Sequence, residues 1–131
     1  MTPILILFAA TAVVFLVLDG IMLTLVMKPL FSSHIGDMMT ESFRIGPAAV
    51  FYLCYVAGLV YLVSWPALRD NGSVFVPAAI LGAMAYGTYE FTSYAIMKNW
   101  SPVMVTVDTL WGTVLTATAA TAGVAVARYF A

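Results

Sequence analysis

The amino-acid sequence predicts an all-α integral membrane protein: a bundle of four transmembrane helices, with a short amphipathic helix in the membrane interface between the first and second spans. Of the 131 residues, 63% are hydrophobic and only 8% are charged. A chain with so few charges cannot cover a water-facing surface with polar groups. Apolar runs occupy about 4–27, 47–68, 74–97 and 102–127. Each approaches or exceeds the roughly 20 residues that cross the hydrocarbon core at about 1.5 Å per residue.

The first apolar run is expected to remain in the mature protein as a span. A secretory signal peptide has a basic beginning and a short apolar region. Here residues 1–3 contain no Lys or Arg, and the apolar run continues to Met27. Because the four runs use nearly the whole chain, residues 1–131 are expected to form a single transmembrane domain.

Two short polar connections, 69–73 and 98–101, predict antiparallel neighbours among the later spans. The first loop (28–46) and the third loop (98–101) then share one membrane face, which we call face B. The five Lys and Arg residues divide three to two between face B and the opposite face, so the positive-inside rule does not decide the orientation. Trp65 and Trp100 lie near predicted helix ends and fit the aromatic belt of a membrane interface.

The first loop carries the pattern that predicts the interfacial helix. Apolar side chains recur at helical spacing and polar side chains fall between them, as in a helix that lies in the plane of the interface. The apolar set is Phe31, Ile35, Met38, Met39 and Phe43, and the polar set is Ser32, His34, Asp37 and Glu41. An ordinary solvated loop is the alternative, because a connection of this length with two glycines can also remain irregular.

Three acids inside the apolar runs are the strongest indication of a functional site. Asp19 lies eight residues before Met27, Glu90 seven before Met97, and Asp108 six after Pro102. At 1.5 Å per residue, each is about 9–12 Å from face B. A carboxylate exposed to lipid at that depth is costly. We therefore expect all three side chains to turn inward toward one polar pocket.

Helical spacing adds neighbours to these acids. On the third span, Tyr86, Glu90 and Tyr94 follow one another at intervals of four residues, and Lys98 continues the same series. On the fourth span, Trp111 lies three residues after Asp108. The residues predicted to bind a ligand or relay protons are Asp19, Tyr86, Glu90, Tyr94, Lys98, Asp108 and Trp111. The alternative is structural, because carboxyl groups bonded to Tyr, Thr or Trp can lock a bundle without binding anything.

Several classes of function lack the residues they need. The net charge is −1 and no Lys/Arg cluster occurs, which disfavours nucleic acid as a partner. The single cysteine, Cys54, allows neither an internal disulfide nor a multi-cysteine metal site. Nucleophile motifs, histidine pairs and Gly-rich phosphate loops are lacking. The sequence therefore predicts no catalytic residues, no cofactor and no metal site.

Three functions remain open. The first is a binding or accessory protein whose acidic pocket near face B holds a lipid, a small amphiphile or a partner helix. The second is a proton- or cation-coupled carrier that titrates the three acids. The third is a lipid-modifying enzyme with Glu90 or Asp108 as general base and His34 or a tyrosine as acid, with or without a divalent metal. Membrane lipids are the expected partners, with a larger membrane complex or a homo-oligomer as further options.

The segments that carry these residues resemble a known family. They read YGTYEFTS at 86–93, KNWS at 98–101, VTVDTLWGT at 105–113 and LDGIML at 18–23. These segments resemble the DUF2177 family of small predicted bacterial membrane proteins. That family more often has Trp at the position of Met22 and Asn at the position of Ser93. The resemblance implies a multi-pass protein of the bacterial inner membrane without an assigned activity.

Overall fold

The computed structural model describes residues 2–36 and 45–130, and within those ranges the chain is helical and contains no strand. The helices are α1 (Thr2–Met22), α2 (Lys28–Ile35), α3 (Ile45–Leu59), α4 (Trp65–Asp70), α5 (Phe75–Ile96) and α6 (Pro102–Phe130). One π-helical turn, Leu23–Met27, joins α1 to α2, and another, Val60–Ser64, joins α3 to α4. The result is four long helices, as the sequence predicted.

Three of these four helices are long and apolar enough to cross a membrane: Thr2–Ile35, Gly46–Asp70 and Pro102–Phe130. The fourth, α5, coincides with the third predicted span and is 22 residues long. It falls short in apolar character because Gly, Ser, Thr, Tyr and Glu residues occupy much of it. Its passage through the bilayer remains a prediction, supported by its close packing along α6.

Two prolines, Pro29 and Pro66, lie inside continuous helices. Pro29 and Pro66 each follow a π-helical turn by two residues. In these turns the N–H of Lys28 donates to the carbonyl of Leu23, five residues back, and the N–H of Trp65 donates to Val60 in the same way. Proline has no N–H, and its ring collides with the carbonyl four residues earlier. A wider turn just before the ring accommodates that collision without ending the helix.

The predicted interfacial helix begins as an extension of the first span. Thr2–Ile35 is one helix of 34 residues, about 51 Å long at 1.5 Å per residue, against a hydrocarbon core of about 30 Å. Within α2, Ile35 is buried and Phe31 packs beside it against the third-loop residue Trp100. The remainder of the amphipathic pattern, from Asp37 through Phe43, lies outside the described residues.

Helix α6 forms the centre of the bundle and contacts both α5 and α1 closely. A methyl group added at Gly112 would overlap the ring of Tyr86 on α5, and one added at Gly123 would overlap the Thr11 hydroxyl on α1. Small residues at such positions let helix backbones approach, which is how helices associate where no hydrophobic drive exists. This close packing places the fourth-span acid beside the acids of the first and third spans.

The opposite end of the bundle is held by Arg128, near the end of α6. Its guanidinium donates to the carbonyl oxygens of Ala67 at 3.3 Å and Gly72 at 3.2 Å. Asn71 adopts the left-handed conformation, with φ 54°, and ends α4. The C-terminal end of α6 and the second loop therefore lie at the same end of the bundle, as the antiparallel topology requires.

Candidate functional site

The structure buries all three acids within the bundle. Asp19 on α1 is 4% exposed, Glu90 on α5 is fully buried, and Asp108 on α6 is 9% exposed. The carboxyl group of Asp108 is the immediate neighbour of the Glu90 carboxyl, and Asp19 lies within electrostatic range of Asp108. Matching depths along antiparallel helices thus bring the three side chains together, because each turns away from the surrounding lipid.

Asp19 is held by the indole of Trp111. The Nε1–H of Trp111 donates to Oδ1 of Asp19 at 3.1 Å, which joins α6 to α1. The other carboxylate oxygen, Oδ2, is buried and has no hydrogen-bond partner among the described residues. The hydroxyl of Tyr52, on α3, faces the same carboxyl group. Asp19 therefore retains capacity to accept a hydrogen bond, and the potential donor nearest to it comes from a third helix.

Glu90 is held by a second indole. The Nε1–H of Trp100 donates to Oε1 of Glu90 at 2.9 Å, and Oε2 is buried without a partner. Aromatic rings flank Trp100: its centroid is 5.3 Å from that of Phe31 and 5.7 Å from that of Tyr89, both edge-on. Because Trp100 itself is buried, this aromatic group covers Glu90 from face B.

Tyr86 occupies the interface between α5 and α6. Its ring lies directly against Gly112, and its centroid is 6.2 Å from that of Tyr55, edge-on. The Tyr55 hydroxyl shares a hydrogen bond of 2.9 Å with the hydroxyl of Thr116. Tyr86 is also within electrostatic range of Asp19, so it borders the acid cluster while serving mainly to pack two helices.

Two residues of the predicted set lie elsewhere. The Tyr94 side chain is 47% exposed and Lys98 is exposed. A step of four residues turns a helix by about 40°, so the series runs from the half-buried Tyr86 through the buried Glu90 and reaches the exposed surface at Tyr94. Moreover, α5 ends at Ile96, and Lys98 follows that end. Arg44, the first-loop cation on face B, lies outside the described residues.

Two other residues join the site without having been predicted there. The sequence placed Trp100 in the interfacial belt, because nothing in its spacing shows that the chain reverses after α5 and returns the indole to Glu90. The place of Tyr52 in the site could have been predicted from the sequence. It lies five residues after Pro47, the predicted start of its span, and this depth matches that of Asp108 after Pro102.

A groove leads from the outer surface of the bundle to Asp19. It has a volume of about 230 Å³ and lies between α1 and α3. Its lining residues are Leu16, Asp19, Gly20, Leu23, Ala48, Ala49 and Tyr52. Several of them are exposed, so the groove opens sideways, toward the region where lipid chains would lie.

The acids are not balanced by basic side chains in the part of the chain that the structure describes. The ion pair found there, Arg69 with Asp70 at 3.4 Å, is at the exposed second loop. Nor do residues 2–36 and 45–130 contain three His, Cys, Asp or Glu side chains grouped as metal ligands. The site is therefore an acidic pocket whose hydrogen-bond donors are indole and phenol groups.

The fold and the site together define a helical membrane protein that keeps three carboxyl groups inside an apolar bundle. Its sequence matches the family described as "Predicted membrane protein (DUF2177)" over residues 4–125. Because the match covers nearly all of the chain, the protein belongs to this family, as the sequence of its third and fourth spans indicated. No curated protein and no solved structure matches the chain significantly.

Proposed function

We propose that this protein binds a single-chain amphiphile within the membrane, with the amphiphile's head group at Asp19 and its chain along the groove between α1 and α3. One observation carries the proposal. The Asp19 carboxylate is 4% exposed and lines the groove, and one of its oxygens has no hydrogen-bond partner. A buried acceptor without a partner is costly, and a bound donor would remove that cost.

The shape of the groove favours a slender ligand. At about 230 Å³ it is smaller than the roughly 300–1,000 Å³ of typical small-molecule sites. It therefore suits a head group and the first part of one chain better than a two-chain phospholipid. Its lining is apolar except for Asp19 and Tyr52, which matches a ligand with one polar end. The sideways opening supports entry from the lipid phase.

The charge of the site favours an amine or hydroxyl head group. A carboxylate only accepts hydrogen bonds, and the residues that line the groove include neither Lys nor Arg. A phosphate placed there would face a carboxylate at close range, and none of the described lining residues is a cation that could offset the repulsion. An ammonium or hydroxyl group would instead donate to Asp19.

We propose that this binding takes place in the bacterial inner membrane, which the resemblance of the third- and fourth-span segments to small bacterial membrane proteins supports. Membrane lipids would then supply the ligand. The protein would hold or present it, alone, as a homo-oligomer or in a larger membrane complex.

Photoreactive probes that share one alkyl chain and differ only in the head group, amine, hydroxyl or phosphate, test the proposal. The purified protein in detergent micelles should crosslink to the amine and hydroxyl probes more strongly than to the phosphate probe. A hydrogen bond to a charged group contributes about 1.5–3 kcal/mol. Asp19→Asn should therefore weaken binding of the amine probe about 10- to 150-fold. Asp70→Asn, at the exposed second loop, is the matched control.

A second variant separates binding from loss of the carboxylate. No atom lies within 4 Å of a Cβ built at Gly20 or at Gly58, but only Gly20 lines the groove. Gly20→Leu should block crosslinking of all three probes, whereas Gly58→Leu should not. If each of the three probes crosslinked to Gly20→Leu as strongly as to wild type, the proposed function would be wrong.

A further inference from the structure

Glu90 and Asp108 form a pair of carboxyl groups that is separate from the groove. Glu90 is fully buried and Asp108 is 9% exposed, and their carboxyl groups are immediate neighbours across the contact between α5 and α6. The Trp100 indole occupies Oε1 of Glu90, whereas Oε2 is buried and has no hydrogen-bond partner. The groove lining includes neither Glu90 nor Asp108.

Neutral or acidic groups face this pair from α1 and α3, and from α5 itself. They are Asp19 on α1, Tyr52 on α3, and Tyr86 and Tyr89 on α5. Among the residues that the structure describes, every Lys and Arg side chain is exposed, and none forms an ion pair with either acid. Within 2–36 and 45–130, the pair therefore lacks a positive side chain that could balance two negative charges.

Two ionised carboxylates cannot remain stable neighbours in such surroundings. Both would only accept hydrogen bonds, so their contact would have no donor. Like charges at close range repel, and a low dielectric strengthens the repulsion. One proton on the pair removes a charge and supplies the missing donor at the same time.

We propose that Glu90 and Asp108 share one proton and so form a proton-binding site at the contact between α5 and α6. Asp108 is the more accessible member of the pair, while Trp100 covers Glu90 from face B. Exchange with water therefore takes place through Asp108, and Glu90 is the protected partner. The folded protein carries a proton here that the unfolded chain would release into neutral water.

Infrared spectroscopy detects that proton directly. Near neutral pH, the wild-type protein should show the carbonyl stretching band of a protonated carboxylic acid, and the band should shift when the buffer is changed to D₂O. The double variant Glu90→Gln with Asp108→Asn should lack the band, while Asp19→Asn should keep it. Circular dichroism confirms that each variant is helical. Absence of the band from wild type would overturn the proposal, as would its survival in the double variant.

The pH dependence of stability gives a second readout that does not need the double variant. The folded protein holds one more proton than the unfolded chain, so its stability decreases as pH rises. The thermal midpoint of wild type should therefore fall between neutral and alkaline pH. In Asp108→Asn, the amide N–H donates to Glu90 and does not titrate. The thermal midpoint of this variant should therefore fall less than that of wild type over the same pH range. Equal falls in wild type, Asp108→Asn and Glu90→Gln would contradict a shared proton.

Discussion

The bond between Trp111 and Asp19 should contribute measurably to stability, and a double-mutant cycle isolates that contribution. The cycle combines Trp111→Phe with Asp19→Leu, which removes the acceptor. The Trp111 Nε1 to Asp19 Oδ1 distance of 3.1 Å is within the range of about 2.7–3.2 Å for an N–H···O hydrogen bond. Since Asp19 is 4% exposed, water has little access to replace the donor when the indole is removed.

A hydrogen bond to a charged group contributes about 1.5–3 kcal/mol, and this range is the coupling expected between the two substitutions. Trp111→Phe also loses packing area, but this loss occurs with either Asp or Leu at position 19 and cancels in the cycle. The free energy of unfolding can be measured in mixed micelles by titration with a denaturing detergent, followed by far-ultraviolet circular dichroism.

Trp65 supplies the matched control for this cycle. It is half-buried, and in the described part of the chain its indole N–H donates no hydrogen bond. Trp65→Phe combined with Asp19→Leu should show additive effects within about 0.5 kcal/mol. Coupling that small for Trp111 as well would refute the reasoning, because the bond would then have no energetic role.

Two further predictions concern packing. Gly112→Ala should lower the free energy of unfolding by about 1–3 kcal/mol, because its methyl group would overlap the Tyr86 ring and force the helices apart. Gly58→Ala, which meets no atom within 4 Å, should be neutral or stabilising in the same micelle titration, and an equal loss in both would show that the close approach is unimportant. Arg128→Gln should cost no more than about 1 kcal/mol, since its two bonds to carbonyl oxygens are partly solvated. A larger loss would mean that the end of α6 holds the second loop more firmly than these contacts account for.

The depth of the acids could be predicted from the sequence because the rise of an α-helix is fixed. Counting from the helix ends placed Asp19, Glu90 and Asp108 in one layer, and the structure brings them together. The rotation of a side chain about its helix axis is less certain. The stripe through Tyr86 and Tyr94 drifts by about 40° at every step of four residues, so its far end reaches the lipid-facing surface.

Contacts that depend on the path of a turn could not be predicted in this way. Trp100 follows Glu90 by ten residues, and α5 ends between them at Ile96. Whether the indole lies in the interface or returns to the carboxylate depends on the backbone after that end, where Met97 is extended. Hydropathy reports how deep a residue lies along a helix and contains no information about such a reversal.

The π-helical turn before Pro29 determines how α2 meets the aromatic group that covers Glu90 from face B. A π-helical turn holds about one residue more than an α-helical turn, and each residue of an α-helix corresponds to about 100° of rotation. The face that α2 presents is therefore offset from the one that uninterrupted α-helix would present. Removing a single residue from Leu23–Met27 would turn Phe31 and Ile35 away from Trp100. The length of this turn, rather than the identity of any one side chain, aligns the aromatic cover with the acid beneath it.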